Sequence, residues 1–134
     1  EKKLYQNLWK SVADDIMSEY QFKILDIPMA VEAAEGDKDC VIFLFESFRD
    51  NVDKNKADIV SAYEKEDFSN YTIFVHALKS TSKMIGAQNL SEMARKMEES
   101  GKAGDFDYIK ENYDAMITEL DAVVSEISDY LSHR

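Results

Sequence analysis

Between Phe106 and Leu131 the apolar residues Ile109, Tyr113, Met116, Leu120, Val123, Ile127 and Leu131 recur every three or four positions, with no proline or glycine between them. That spacing follows the 3.6-residue turn of an α-helix and collects the apolar side chains into one stripe, which another element must cover. The same period runs through most of the chain. A first helix is expected over residues 3–21, where Leu4, Leu8, Val12, Ile16 and Tyr20 are flanked by Tyr5, Trp9, Ala13 and Met17. A short helical piece follows, with Asp26 as N-cap, Pro28 in its first turn and Gly36 at its end. One long helix is expected from Asp39 to Glu66, its apolar side formed by Val41, Leu44, Phe45, Phe48, Val52, Ile59, Ala62 and Tyr63, with any irregularity near Asn51 to Asn55. The next runs from Asn70 to Ile85, N-capped by Ser69 and with Phe68 stapled onto Ile73. After a break at Gly86, Leu90, Met93, Ala94 and Met97 mark another helix that stops over Gly101 to Gly104.

One proline and four glycines in 134 residues supply too few turns for an all-β fold. A chain of this length can bury roughly two thirds of its unfolded surface without staples. The predicted fold is therefore all-α: an up-down four-helix bundle over residues 39–131, with an additional N-terminal helix in residues 1–25 and a short connecting helix. Residues 1–134 are expected to form a single domain. The sequence opens at Glu1 rather than methionine, so a segment of a larger protein or a processed product is expected, with residues 1–25 linking to an upstream domain.

Cys40 is the single cysteine; it has no internal partner and is expected as a buried free thiol in a reducing compartment. No apolar run approaches the roughly 20 residues of a membrane span, and a cytoplasmic location is expected, alone or as the cytoplasmic part of a membrane sensor kinase. The net charge of −11 argues against nucleic acid as a partner, because phosphate binding depends on excess Lys and Arg. Met84, Met93, Met97 and Met116 are expected as core filler rather than ligands. With no Glu-x-x-His pair, a di-iron bundle is disfavoured.

His76 is the one histidine away from the chain end; His133, at the frayed C-terminus, is expected to be inert. On a helical wheel Tyr71, Phe74, Leu78, Thr81 and Ile85 lie opposite His76, as the expected core face, while Thr72, Lys79, Ser80 and Lys83 lie within about 60° of it. The histidine is thus expected to be exposed in mid-helix, with lysines one and two turns beyond.

The run His76, Ala77, Leu78, Lys79, Ser80, followed by Ser82, Gly86, Ala87 and Leu90 and by Ala94, Met97 and Glu98 on the next helix, resembles the histidine-containing phosphotransfer (HPt) family of two-component phosphorelays. Ser80 departs from the commoner glycine but keeps the position small. The resemblance implies that His76 accepts a phosphoryl group from the aspartate of a receiver domain and passes it to another receiver. It also implies that Lys79 balances phosphate charge, with Lys83 a weaker second cation, and that Ser80, Gly86 and Glu98 support the site. Glu98 would hydrogen-bond the imidazole and hold its tautomer. The implied partners are receiver domains of response regulators or hybrid kinases. No cofactor or metal of the chain's own is expected, the receiver supplying magnesium. Neutral imidazole, with a reference pKa of about 6.5, is a competent nucleophile, and no P-loop or kinase glycine motif suggests nucleotide chemistry. Ile73, Ala77 and Met84, flanking the histidine stripe, are the expected apolar rim for docking. The alternative is a helical docking or dimerisation module in which His76 is incidental.

Overall fold

The computed structural model describes residues 2–134, with side chains from Gln6 onward; Leu4 and Tyr5 of the predicted first stripe lie outside the described side chains. Six helices follow in order: α1 Lys2–Glu19, α2 Ile27–Ala33, α3 Lys38–Glu64, α4 Phe68–Met84, α5 Gln88–Ala103 and α6 Phe106–His133. Four of them begin on an aspartate whose side chain accepts a backbone N–H three residues on: Asp26 from Met29, Asp37 from Cys40, Asp67 from Asn70 and Asp105 from Tyr108. A carboxylate at an N-cap satisfies an orphan amide and meets the positive end of the helix dipole.

This pattern corrects the expected start of α4. Asp67, not Ser69, is its N-cap, so the helix begins at Phe68. Phe68 then stacks on Phe106 of α6, with ring centroids 4.3 Å apart, and Ile73, its expected staple partner, is 62% exposed. The expected irregularity in α3 is absent, because Val52 alone is buried while Asn51, Asp53, Lys54 and Asn55 face solvent on an unbroken helix.

Helices α3 to α6 form the bundle, with α3 and α5 each packed against both α4 and α6. Its interior holds Phe45 and Ile59 from α3, Tyr71 and Val75 from α4, Leu90, Ala94 and Met97 from α5, and Ile109, Met116, Leu120, Val123 and Ile127 from α6. At the Phe68 end, Tyr63 and Tyr113 stack face to face at 3.6 Å. Two expectations about packing need correction. Met84 is exposed rather than core filler, and Cys40 is half-buried rather than buried.

Helix α1 packs outside the bundle, on α2. A seven-residue partner cannot cover a broad face, so Ala13 and Ile16 are buried while Leu8 and Met17 of the expected stripe stay exposed. Apolar and polar contacts together tie this region to the bundle: just after α1, Tyr20 and Phe22 pack on Tyr130 of α6, with ring centroids 6.0 and 5.0 Å away. Glu126 on α6 is buried and accepts the backbone N–H groups of Lys23, Ile24 and Leu25 at 2.9–3.1 Å. Glu19 accepts the Tyr130 hydroxyl at 2.9 Å, and Lys38 bridges Asp15 and Glu19.

Because Glu126 alone caps three amides of the α1–α2 connection, its truncation leaves them without a partner. Glu126→Ala is expected to cost about 2–3 kcal/mol in urea unfolding, against less than about 0.5 kcal/mol for the exposed Asp121→Ala.

Candidate functional site

Helices α4 and α5 form an antiparallel hairpin joined only by residues 85–87. Gly86 makes this turn possible. Its φ of +79° lies in the left-handed region, its carbonyl accepts the Asp26 N–H at 2.8 Å, and a Cβ there would stand 2.2 Å from the Asp26 carbonyl oxygen. Gly86 therefore positions the hairpin against the start of α2; its place in the site is indirect. Farther along, Gly101 lets α5 approach Thr72 so closely that a Cβ would fall 1.9 Å from the Thr72 hydroxyl oxygen. Nearer the turn, the Ser91 hydroxyl donates to the Lys79 carbonyl at 2.9 Å. Between these contacts, His76 and Glu98 stand at comparable distances from the turn and face each other.

The Glu98 side chain is only 6% exposed, yet its two oxygens meet three donors from both helices. His76 Nδ1 contacts Oε2, Lys79 Nζ donates to Oε1 at 2.7 Å, and Lys102 Nζ lies 3.3 Å from Oε2. Hydrogen bonding from Lys79 is the main influence that holds the Glu98 carboxyl down to about 2; His76 and Lys102 add to it, and desolvation opposes them. Ionised Glu98 can only accept, so the imidazole nitrogen facing it carries the proton. In neutral His76, Nε2 then holds the free lone pair. The His76 side chain is 58% exposed, which leaves the ring open to a reacting group.

The structure thus joins His76, Lys79 and Glu98 in one cluster. Lys79 is not a free cation on the solvent face; its side chain is 29% exposed and it binds Glu98. Ser80 and Lys83 are exposed. Lys83, seven residues beyond His76, lies about 10.5 Å farther along the helix axis, outside the cluster. The true core face of α4 is Tyr71, Val75, Leu78, Ser82 and Ile85, rotated from the expected one: Thr81 is exposed and Phe74 only half-buried. This rotation turns Thr72 and Lys79 toward α5 and leaves Ile73, Ala77 and Ser80 on the outer flank. Sequence reasoning missed Lys102, although its position four residues after Glu98 on one helix signals an ion pair. Among the described residues no group of three or more His, Cys, Asp or Glu could hold a metal, and no helix is long and apolar enough to cross a membrane.

The site is thus that of an all-helical bundle in which a mid-helix histidine is exposed and tethered by a buried carboxylate from the adjacent helix. The Hpt domain family model matches residues 44–127, and the chain belongs to that family of phosphorelay domains. The phosphorelay intermediate protein rdeA of Dictyostelium discoideum is 21% identical over 108 residues, which make up 81% of this chain and 42% of that protein. The chain therefore spans less than half the length of this curated relative. No solved structure matches the chain significantly.

The Glu98 carboxyl, held at about 2 against an ordinary 4.5, makes the cluster a source of pH-dependent stability. A depressed carboxyl stabilises the fold above its unfolded value, and that contribution is lost as pH falls from 4.5 toward 2. Acid titration followed by circular dichroism should show this loss in the wild-type chain. Glu98→Gln should be less stable at neutral pH and show a flatter dependence across the window; an unchanged acid limb would remove Glu98 as its source.

Proposed function

We propose that this chain is a phosphorelay intermediate in which His76 Nε2 accepts the phosphoryl group of a receiver-domain aspartyl phosphate and delivers it to the aspartate of another receiver. The observation that carries this reading is the contact between exposed His76 and buried, ionised Glu98. In the forward step the Nε2 lone pair attacks phosphorus, an N–P bond forms, the acyl P–O bond breaks, and the electron pair leaves with the aspartate carboxylate. The Nδ1 proton stays against Glu98, which stabilises the positive charge that the ring acquires. No proton need move, and the reverse step restores the same tautomer.

Phosphoryl transfer asks a protein chiefly for placement and charge balance. The receiver brings magnesium, which balances charge on the phosphoryl oxygens, and this chain supplies a rigid imidazole and the ammonium of Lys79. That ammonium starts on Glu98 Oε1, beside His76, so a short swing carries it to phosphoryl oxygens on Nε2. Ser80, one turn from His76 on the exposed flank, gives the partner room to approach.

Docking uses the α3 side of the histidine. Ile73 and Met84 are 62% and 42% exposed, Ala77 is exposed between them, and a groove of about 230 Å³ lined by Leu44, Phe48, Thr81, Met84 and Ile85 continues the apolar surface onto α3. Contiguous exposed apolar side chains beside a reactive group mark a protein interface. In this reading the domain works in the cytoplasm.

Incubation with phosphoramidate, a small-molecule phosphoryl donor, and separately with a phosphorylated receiver should place one acid-labile phosphate on the wild-type chain. His76→Gln should take up none while keeping its helix content, because the side chain is largely exposed. Labelled ATP alone should leave the chain unmodified. If His76→Gln still takes up phosphate, His76 is not the acceptor; if neither donor modifies the wild-type chain, the bundle is a docking module.

Transfer from the receiver should slow about tenfold in Lys79→Ala and further in Lys79→Glu, where repulsion replaces attraction. Ser80→Leu should fold normally and transfer poorly, whereas Ser80→Gly should transfer well and lose up to about 1 kcal/mol of stability. Stopped-flow transfer rates and urea unfolding check both pairs; equal rates for Lys79 and its variants, or an unchanged rate in Ser80→Leu, would remove those roles.

A further inference from the structure

Charge is unevenly placed along this chain. Residues 68–103, which contain α4 and α5, carry Lys79, Lys83, Arg95, Lys96 and Lys102 against Glu92, Glu98 and Glu99, a balance of +2. The whole chain stands at −11, so everything outside the hairpin stands at −13. Three of these cations converge on a groove of about 500 Å³ on the α5 side of the histidine helix, walled by Lys79, Ser80 and Lys83 from α4 and by Ser91 and Arg95 from α5, with Met29 of α2 as an apolar part of the wall. The single acid in that wall, Glu92, is turned onto Arg95. Lys83 is exposed and enters none of the ion pairs formed among the described residues. His76 therefore lies between two unlike surfaces, the apolar rim on the α3 side and a cationic groove on the α5 side.

We propose that this groove is an electrostatic docking surface for a carboxylate-rich segment of the partner protein, with Lys83 and Arg95 as its principal contacts; the partner's being a receiver rests on the function proposed above. Lys83 lies about 10.5 Å along α4 from His76, so a partner carboxylate can occupy it without entering the space needed for phosphoryl transfer. Exposed ion pairs contribute little individually, and Arg95, held by both Glu92 and Glu99, can exchange one of these exposed partners for a partner carboxylate at small cost. Their joint effect is orientation. An acidic partner is repelled by the −13 remainder and attracted by the hairpin alone, which selects the encounter that brings its reactive face to His76.

The test is an NMR titration of the full chain with an acetylated, amidated hexa-aspartate peptide at 50 and 200 mM NaCl. It is run on the wild type, His76→Gln, Lys83→Glu and the Lys83→Glu/Arg95→Glu pair, each first checked for helix content. Saturable shifts should centre on residues 79–95, persist in His76→Gln, weaken about fivefold or more at the higher salt, weaken in Lys83→Glu and vanish in the double variant. A folded double variant that binds as the wild type does, shifts scattered over the whole surface, or equal shifts with a hexa-lysine peptide would overturn the proposal. Phosphoramidate labelling of the same wild-type sample separates this failure from that of the phosphoacceptor reading. Label on His76 without peptide binding rejects the groove alone, and peptide binding without label rejects the acceptor alone.

Discussion

The site depends on how closely α4 and α5 approach each other. A three-residue turn, a glycine against Thr72 and a hydroxyl-to-carbonyl bond from Ser91 hold the two helices near enough for one short acidic side chain to reach both His76 and Lys79. A methyl group at Gly101 would collide with the Thr72 hydroxyl, so unless that side chain turned away from its bond to the Phe68 carbonyl, the helices would have to separate or shift register. Either change would withdraw the Glu98 carboxylate from the imidazole, and the ring would lose the acceptor that directs its lone pair outward.

Two buried acids serve different ends in this bundle. Glu126 is saturated by three backbone amides, which cannot be exchanged without unfolding the α1–α2 connection, and its role is to position the N-terminal elements. Glu98 is met by side chains instead, and those of Lys79 and Lys102 are partly exposed. A carboxylate whose partners can leave one at a time can remain ionised while one lysine moves away. The same low-polarity surroundings that make an unpaired buried acid costly make this rearrangement sensitive to charge added nearby.

The surface carries a matching asymmetry. The exposed imidazole of His76 has apolar side chains on one flank and cations on the other, while the bulk of the negative charge lies elsewhere on the fold. Under the function and docking surface proposed above, such an arrangement favours one orientation of a partner over the rest.

Much of this was written into the residue order. Apolar periodicity identified the helices and the bundle, glycines marked the turn at Gly86 and the end of α5, and the wheel placed His76 on the outside. What periodicity cannot decide is the rotation of a stripe within its own width, because that depends on where the neighbouring helices lie. Val75 and Ser82 rather than Thr81 complete the core of α4 for this reason, and Lys79 turns inward to Glu98 while Ile73 turns out. Glu126 was illegible because its donors are backbone amides about a hundred residues away. By itself, the sequence determined an all-helical chain with a histidine exposed in mid-helix, since both follow from local spacing. Only the tertiary structure decided which charges surround that histidine, since their distances depend on how closely two helices pack.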